Sequence, residues 1–127
     1  MREVNFSKLK KEDGLFYFPH ETTPFSGRAI VCFKLFFIPT KRIKRKIEIR
    51  NGIPHGETMD FFCDGKIARK AYLKEGKFHG ELINYFESGE VKEKSTYWDG
   101  LLHGEQIFYY ENGNVMSKYR FHHGIRE

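Results

Sequence analysis

Asp99-Gly100-Leu101-Leu102-His103-Gly104-Glu105-Gln106-Ile107-Phe108-Tyr109-Tyr110-Glu111-Asn112-Gly113-Asn114-Val115 is the stretch that decides the architecture. It holds two turn signals, Asp-Gly and Asn-Gly, with a run of β-prone residues between them. It also recurs. Stepping by 24 residues joins Gly52, Gly76, Gly100 and Gly124, then Gly56, Gly80 and Gly104, then Gly65, Gly89 and Gly113. These three tracks hold ten of the 12 glycines. His55, His79 and His103 keep the same step, as do Glu57, Glu81 and Glu105, and Ile67, Val91 and Val115. Lys46, Lys70, Lys94 and Lys118 share it too. A fixed period carried by this many independent columns marks a repeat architecture.

Each unit reads as a β-hairpin. Asp64-Gly65, Ser88-Gly89 and Asn112-Gly113 are expected to be two-residue turns of type I′, which need φ > 0 at both central residues. The Gly-x-x-His-Gly segments are expected to be glycine-rich connections between hairpins. The fold class is therefore all-β: an elongated, antiparallel β-meander of stacked hairpins in a single sheet. The expected layout is a cap over residues 1–23, a degenerate first repeat with a longer hairpin over 24–50, regular repeats over 51–74, 75–98 and 99–122, and a truncated unit over 123–127. In the first repeat Pro24-Phe25-Ser26-Gly27 stands where later units have the His-Gly turn, and Lys41 stands in the turn-glycine position. Gly27 to Lys41 spans 14 residues where the regular unit spans 9, which puts Pro39-Thr40 near the hairpin tip.

With two-residue loops, Phe62 opposes Ile67, Asp60 opposes Arg69 and Met59 opposes Lys70. One face then carries Phe62, Ile67, Ala71, Leu73, Leu82, Phe86, Val91, Tyr97, Phe108, Tyr110, Val115, Tyr119 and Phe121 and is expected to form the core. The other mixes aromatics with the Lys and Glu tracks. Its Tyr85, Trp98 and Tyr109 are the candidate partner-binding residues, because aromatics are enriched at interfaces.

The 127 residues suffice for one small domain. Aromatics make up 17% of them, too many for a disordered chain. No run approaches the ~20 apolar residues of a membrane span, and no signal peptide is visible, which places a complete chain of this sequence in the cytoplasm. Net charge is +5, and it is uneven: residues 1–52 carry +7 and residues 53–127 carry −2. Lys41, Arg42, Lys44, Arg45 and Lys46 concentrate the surplus and are the candidate anion-binding residues. The same run alternates with Ile43, Ile47 and Ile49, as a strand with one solvated side does.

Enzymatic chemistry finds no support in the pattern. Equivalent residues of successive two-stranded repeats lie ~10 Å apart, twice the strand spacing. One zinc ion with nitrogens at ~2.0–2.1 Å cannot bridge that distance, so His55, His79 and His103 read as turn histidines tied to backbone, and His122-His123 as a lone pair. Glu57, Glu81 and Glu105 are equivalent by symmetry, which assigns none of them as acid or base. They read as a charge ladder with the Lys track, Glu57 with Lys70 for example. Cys32 and Cys63 make no disulfide framework and no CxxC pair. No metal site and no cofactor is expected.

The units Asp99-Gly100-Leu101-Leu102-His103-Gly104-Glu105 and Tyr109-Tyr110-Glu111-Asn112-Gly113-Asn114-Val115 resemble the MORN-repeat variant family. Asp13-Gly14-Leu15-Phe16-Tyr17 and Pro24-Phe25-Ser26-Gly27 extend the resemblance over about residues 13–127. It implies the stacked-hairpin meander. It also implies a protein-binding role, through bacterial members described as YwqK-type antitoxin-like proteins, with a toxin encoded nearby as the partner. MORN repeats in general are associated with scaffolding and phospholipid contact, so the alternative partner is an anionic lipid surface. Nucleic acid is disfavoured for want of any signature motif, and the open edge strands allow self-association.

Overall fold

The computed structural model describes residues 1–35 and 38–127, with the side chains of residues 33–42 outside the description. The strands are β1 (Glu3–Asn5), β2 (Lys10–Glu12), β3 (Leu15–Tyr17), β4 (Gly27–Leu35), β5 (Ile38–Arg50), β6 (Ile53–Phe61), β7 (Ile67–Lys74), β8 (Lys77–Phe78), β9 (Gly80–Tyr85), β10 (Val91–Trp98), β11 (Leu101–Tyr109), β12 (Val115–His122) and β13 (Ile125–Arg126). The large sheet runs β1-β4-β5-β6-β7-β9-β10-β11-β12-β13, with the short β8 on β7. From β4 onward the described pairings are antiparallel and sequential, which makes the expected meander. Two features depart from a single antiparallel sheet. β1 joins β4 in parallel, and β2 pairs with β3 in a separate two-stranded sheet. Both involve residues 1–23, whose sequence lies off the 24-residue period.

The glycine tracks do become turns, but their types are exchanged relative to expectation. The type I′ turns are Asn51-Gly52, Glu75-Gly76, Asp99-Gly100 and His123-Gly124, with φ of 45–50° at the first residue and 79–86° at the glycine. The flanking residues pair directly, as Lys74↔Lys77 and Trp98↔Leu101 do. Asp13-Gly14 joins β2 to β3 in the same way. Asp64-Gly65, Ser88-Gly89 and Asn112-Gly113 instead belong to three-residue turns. The Phe62 carbonyl accepts the Gly65 N–H at 2.9 Å, the Phe62 N–H donates to the Lys66 carbonyl at 2.8 Å, and of these turn residues only the glycine has positive φ. This is a type I turn closed by a glycine bulge. Asp64 and Asn112 satisfy such a turn locally, since their Oδ1 atoms accept the N–H two residues on, both at 2.9 Å. The bulge leaves Asp60↔Arg69 and Met59↔Lys70 as expected but sets Ile67 against Phe61 rather than Phe62. In the long first hairpin Leu35 pairs with Ile38 and Lys34 with Pro39, so Pro39 lies near the tip as expected, whereas Lys41 lies further along β5 rather than in the turn.

The main core lies at the first repeat rather than along the whole of the expected face. Phe25, Ala29 and Ile49 are its buried centre, and Val4, Phe6, Leu9, Phe16, Phe18 and Ile47 pack against them. Arg2 lies over the rings of Phe18 and Phe25 and meets Glu21 through two 3.1 Å hydrogen bonds. Residues 1–23 thus supply a second layer at this end of the sheet. Elsewhere the buried residues are a narrow row of small or slender side chains: Thr58, Ala71, Leu82 and Ser95. Of the aromatic-rich face expected to be core, Ala71 and Leu82 are buried, whereas Tyr110 and Val115 are half exposed. A single sheet without a facing layer can cover only short side chains along its midline.

Gly52 and Gly65 separate backbone strain from crowding. Both have positive φ, but a Cβ at Gly65 meets open space, whereas one at Gly52 lies 2.9 Å from Pro24 Cβ and 3.0 Å from the Phe16 carbonyl oxygen. Gly65→Ala is expected to cost ~1 kcal/mol and Gly52→Ala about 3 kcal/mol or more, read from urea unfolding midpoints. Equal losses would show that residues 13–25 do not pack on the turn.

Candidate interaction surface

The turns are held to the preceding repeat by two hydrogen bonds each. His55 Nδ1 accepts the Glu75 N–H at 3.1 Å, His79 Nδ1 the Asp99 N–H at 3.3 Å, and His103 Nδ1 the His123 N–H at 3.1 Å. The glycine next in each turn donates to a carbonyl of the same preceding repeat: Gly76 to Pro54, Gly100 to Phe78, Gly124 to Leu102, at 2.7–2.8 Å. In the first repeat Ser26 Oγ takes the histidine's part, accepting the Asn51 N–H at 2.8 Å, and Gly52 donates to Phe25. The histidine clasp spans 20 residues and the serine clasp 25. The difference equals the five extra residues of the first hairpin. A positive-φ turn points both its N–H groups outward, and the clasp satisfies them.

Mid-sheet, Glu93 gathers a polar cluster. Its carboxylate accepts from Ser95 Oγ at 2.6 Å, Asn84 Nδ2 at 3.2 Å and Gln106 Nε2 at 3.4 Å, and Gln106 also donates to Ser95 at 3.2 Å. Ser95 is fully buried, so this hydroxyl is a structural link rather than an accessible nucleophile. Burial pushes the neighbouring Tyr97 phenol above its ordinary value; Glu93 adds to the shift and Arg69 opposes it. Composition columns do not reveal the cluster, because Glu93, Asn84 and Gln106 belong to no repeated track.

The basic segment is partly neutralised. Asp60 accepts from Arg45 Nε at 2.7 Å and lies 3.6 Å from Arg69 Nε. Lys46 stands over the Phe61 ring at 5.8 Å, and Lys44 is exposed. The side chains of Lys41 and Arg42 lie outside the described residues. Ile43, Lys46, Phe61, Phe62 and Cys63 line an open cleft of about 370 Å³. Cys63 is exposed in its turn, Cys32 is half-buried on β4, and no disulfide joins them. Of the expected charge ladder, Glu105 meets Lys118 at 3.4 Å and Arg120 at 3.3 Å, while Glu57 and Lys70 form no ion pair.

Tyr85, Trp98 and Tyr109 do not form one patch. Tyr85 pairs with Val91 at one end of β10, and Trp98 closes the other end, ~23 Å away at 3.3 Å per residue. Tyr109 sits beside the three-residue turn, at the Tyr85 end. Trp98 has different company. It is 51% exposed, faces Leu101 across the Asp99-Gly100 turn, and its ring lies tilted with its centroid 4.4 Å from that of His79. Leu101 in turn flanks Gly124, next to the exposed Ile125. The result is an apolar strip along the two-residue turns. The signal for it is in the sequence, at the flanks of the Asp-Gly and His-Gly pairs, but it reads as a surface only once those pairs are known to be I′ turns.

Residues 78–99 and 102–123 each match the model of the MORN repeat variant. Over these two segments the chain is similar to MORN-variant repeats. MORN repeats are typically non-enzymatic and generally mediate protein or membrane-lipid interaction. No curated protein and no solved structure matches the chain. No described helix is long and apolar enough to cross a membrane.

Two outcomes test the site's construction. His79→Ala should cost ~1 kcal/mol and speed amide exchange at Asp99, whereas His79→Ser should recover part of the loss, as Ser26 does in the first repeat. An unchanged Asp99 amide in the alanine variant would remove the clasp. For Tyr97 the neutral phenol is favoured by folding. Its contribution is full below about pH 10, the unfolded value, and is lost as pH rises from there through the higher folded value. Tyr97→Phe should therefore lose less stability than the parent chain above about pH 10 in paired urea unfolding series.

Proposed function

We propose that this chain is a non-catalytic protein-binding module that holds its partner on the strip Trp98, Leu101 and Ile125, with Tyr85 and Tyr109 serving a second contact at the far turns. The observation that carries the reading is the exposure of Trp98, Leu101 and Ile125 on a sheet with no second layer above them. The repeat match supports a binding role. An antitoxin-like action, masking a toxin encoded nearby, is the specific form we propose, and its support is the resemblance of the repeat units. Co-expression with the product of the adjacent gene tests it. The expected result is relief of toxicity by the parent chain and none by Trp98→Ala, with partner binding weakened ~30-fold or more, as for a buried aromatic anchor. Equal relief by both chains would move the contact away from the strip; absence of toxicity or binding would remove the antitoxin reading.

The alternative is an anionic lipid surface, favoured by the exposed Lys44 within the +7 segment. Arg45 counts against it, being already paired with Asp60. Co-sedimentation with phosphatidylserine vesicles at low ionic strength, lost as salt rises, is the result this reading requires.

A further inference from the structure

The last two-residue turn departs from the array's own pattern. The residue that donates its N–H to the side-chain acceptor of the preceding repeat is Asn51, Glu75 or Asp99 earlier, and it is His123 here. The residue before it is Arg50, Lys74 or Trp98 earlier, and it is His122 here. Both changes are to histidine, and both lie beside His103, the histidine that the repeat supplies anyway. The three rings converge, with centroids 5.0 Å apart for His103–His122, 4.5 Å for His103–His123 and 4.5 Å for His122–His123. One ring nitrogen from each lies within 4.8 Å of the other two. His122-His123 is therefore not the lone pair expected from sequence: the 20-residue clasp delivers His103 to it.

We propose that His103, His122 and His123 form a binding site for a divalent cation of the imidazole-preferring class, with Zn²⁺, Ni²⁺ or Cu²⁺ as the candidates. Tetrahedral coordination with Zn–N of ~2.0–2.1 Å brings the nitrogens ~3.3 Å apart. The exposed rings of His122 and His123 can close the remaining gap by rotation about their side-chain bonds. Three protein ligands leave a fourth position for water.

His103 ties the site to the fold. Its Nδ1 accepts the His123 N–H, so in the neutral ring the proton sits on Nε2. A cation on Nε2 needs that nitrogen deprotonated, which moves the proton to Nδ1, where it opposes the backbone donor. A cation on Nδ1 displaces the donor directly. Metal and clasp therefore compete for one imidazole, and occupancy releases the last turn from the preceding repeat.

The array itself supplies the control variants. His122→Lys with His123→Asn places Lys74's and Asn51's residue types in the turn and keeps the backbone donor. His103→Ser keeps a clasp acceptor of the Ser26 kind and removes the third ligand. Calorimetric titration of the full chain with Zn²⁺ is expected to give one site that the double variant loses and that His103→Ser weakens roughly tenfold or more. The His123 amide should exchange faster when the parent chain is loaded. Binding that is equal in the parent chain and the double variant overturns the site. Binding that survives His103→Ser unchanged, or a His123 amide that stays protected on loading, overturns the three-histidine assignment. Circular dichroism of each variant verifies that the sheet is intact.

Discussion

The structure depends on a problem of unsatisfied donors. A type I′ turn reverses the chain in two residues but turns its two N–H groups away from its own hairpin. Here each pair is accepted by the repeat before it, one N–H by a histidine Nδ1 or the Ser26 hydroxyl and the other by a backbone carbonyl. One device thus closes a hairpin and fixes its position on the neighbouring repeat. The histidine column follows from it: a side chain is needed that offers an acceptor at a fixed reach above the turn. The substitution of Ser26 in the first repeat shows that the requirement is for an acceptor rather than for imidazole chemistry.

Because the repeats are linked along the turns, the sheet can extend without a thick core. The midline row of Thr58, Ala71, Leu82 and Ser95 is narrow, and polar members are tolerated because each is bonded, Thr58 to the Lys46 carbonyl and Ser95 to Glu93. A conventional two-layer core exists only where residues 1–23 fold over Phe25, Ala29 and Ile49. The outer strands of the large sheet are short, three residues in β1 and two in β13, which limits the unpaired backbone that an edge can present to another chain. Large side chains beyond the midline have nothing to cover them. In a repeat built this way, exposed Trp98, Leu101 and Ile125 are a consequence of single-layer architecture, and they become available for recognition by a second molecule.

The period, the hairpins and most of the register were legible in the sequence, since glycine columns and β-branched or aromatic columns report directly on turns and strands. The turn types were not. Asp-Gly and Asn-Gly serve both in I′ turns and in type I turns with a glycine bulge, and the two differ in whether the residue before glycine has positive φ. Asp64 and Asn112 stay out of that region, their side chains accepting the N–H two residues on, whereas Glu75 and His123 occupy it with no such contact. The face assignment held along the midline, where Ala71 and Leu82 are buried, but not at Tyr110 and Val115: alternation tells which residues share a side, not whether anything lies above it. Arg45 illustrates the limit for charge. The run from Lys41 to Lys46 reads as a basic patch until Asp60, 15 residues away, is placed beside it by the ladder.

Function in a repeat protein is most readily sought where the repeat breaks. Equivalent residues stand in equivalent environments, so a perfect array cannot differentiate an acid from a base or one binding pocket from the next. The regular columns here are accounted for by folding: glycine at turns, histidine at clasps. The departures are not so absorbed. Glu93 draws Asn84, Ser95 and Gln106 into a cluster seen in no other repeat, Asp60 joins two arginines from flanking strands, and positions 122 and 123 exchange the array's residues for histidine. The first two are closed, their polar atoms engaged with one another. At the last turn two exposed rings flank a third whose acceptor is already committed, and there the repeat's own stabilising contact is what an incoming ligand must displace.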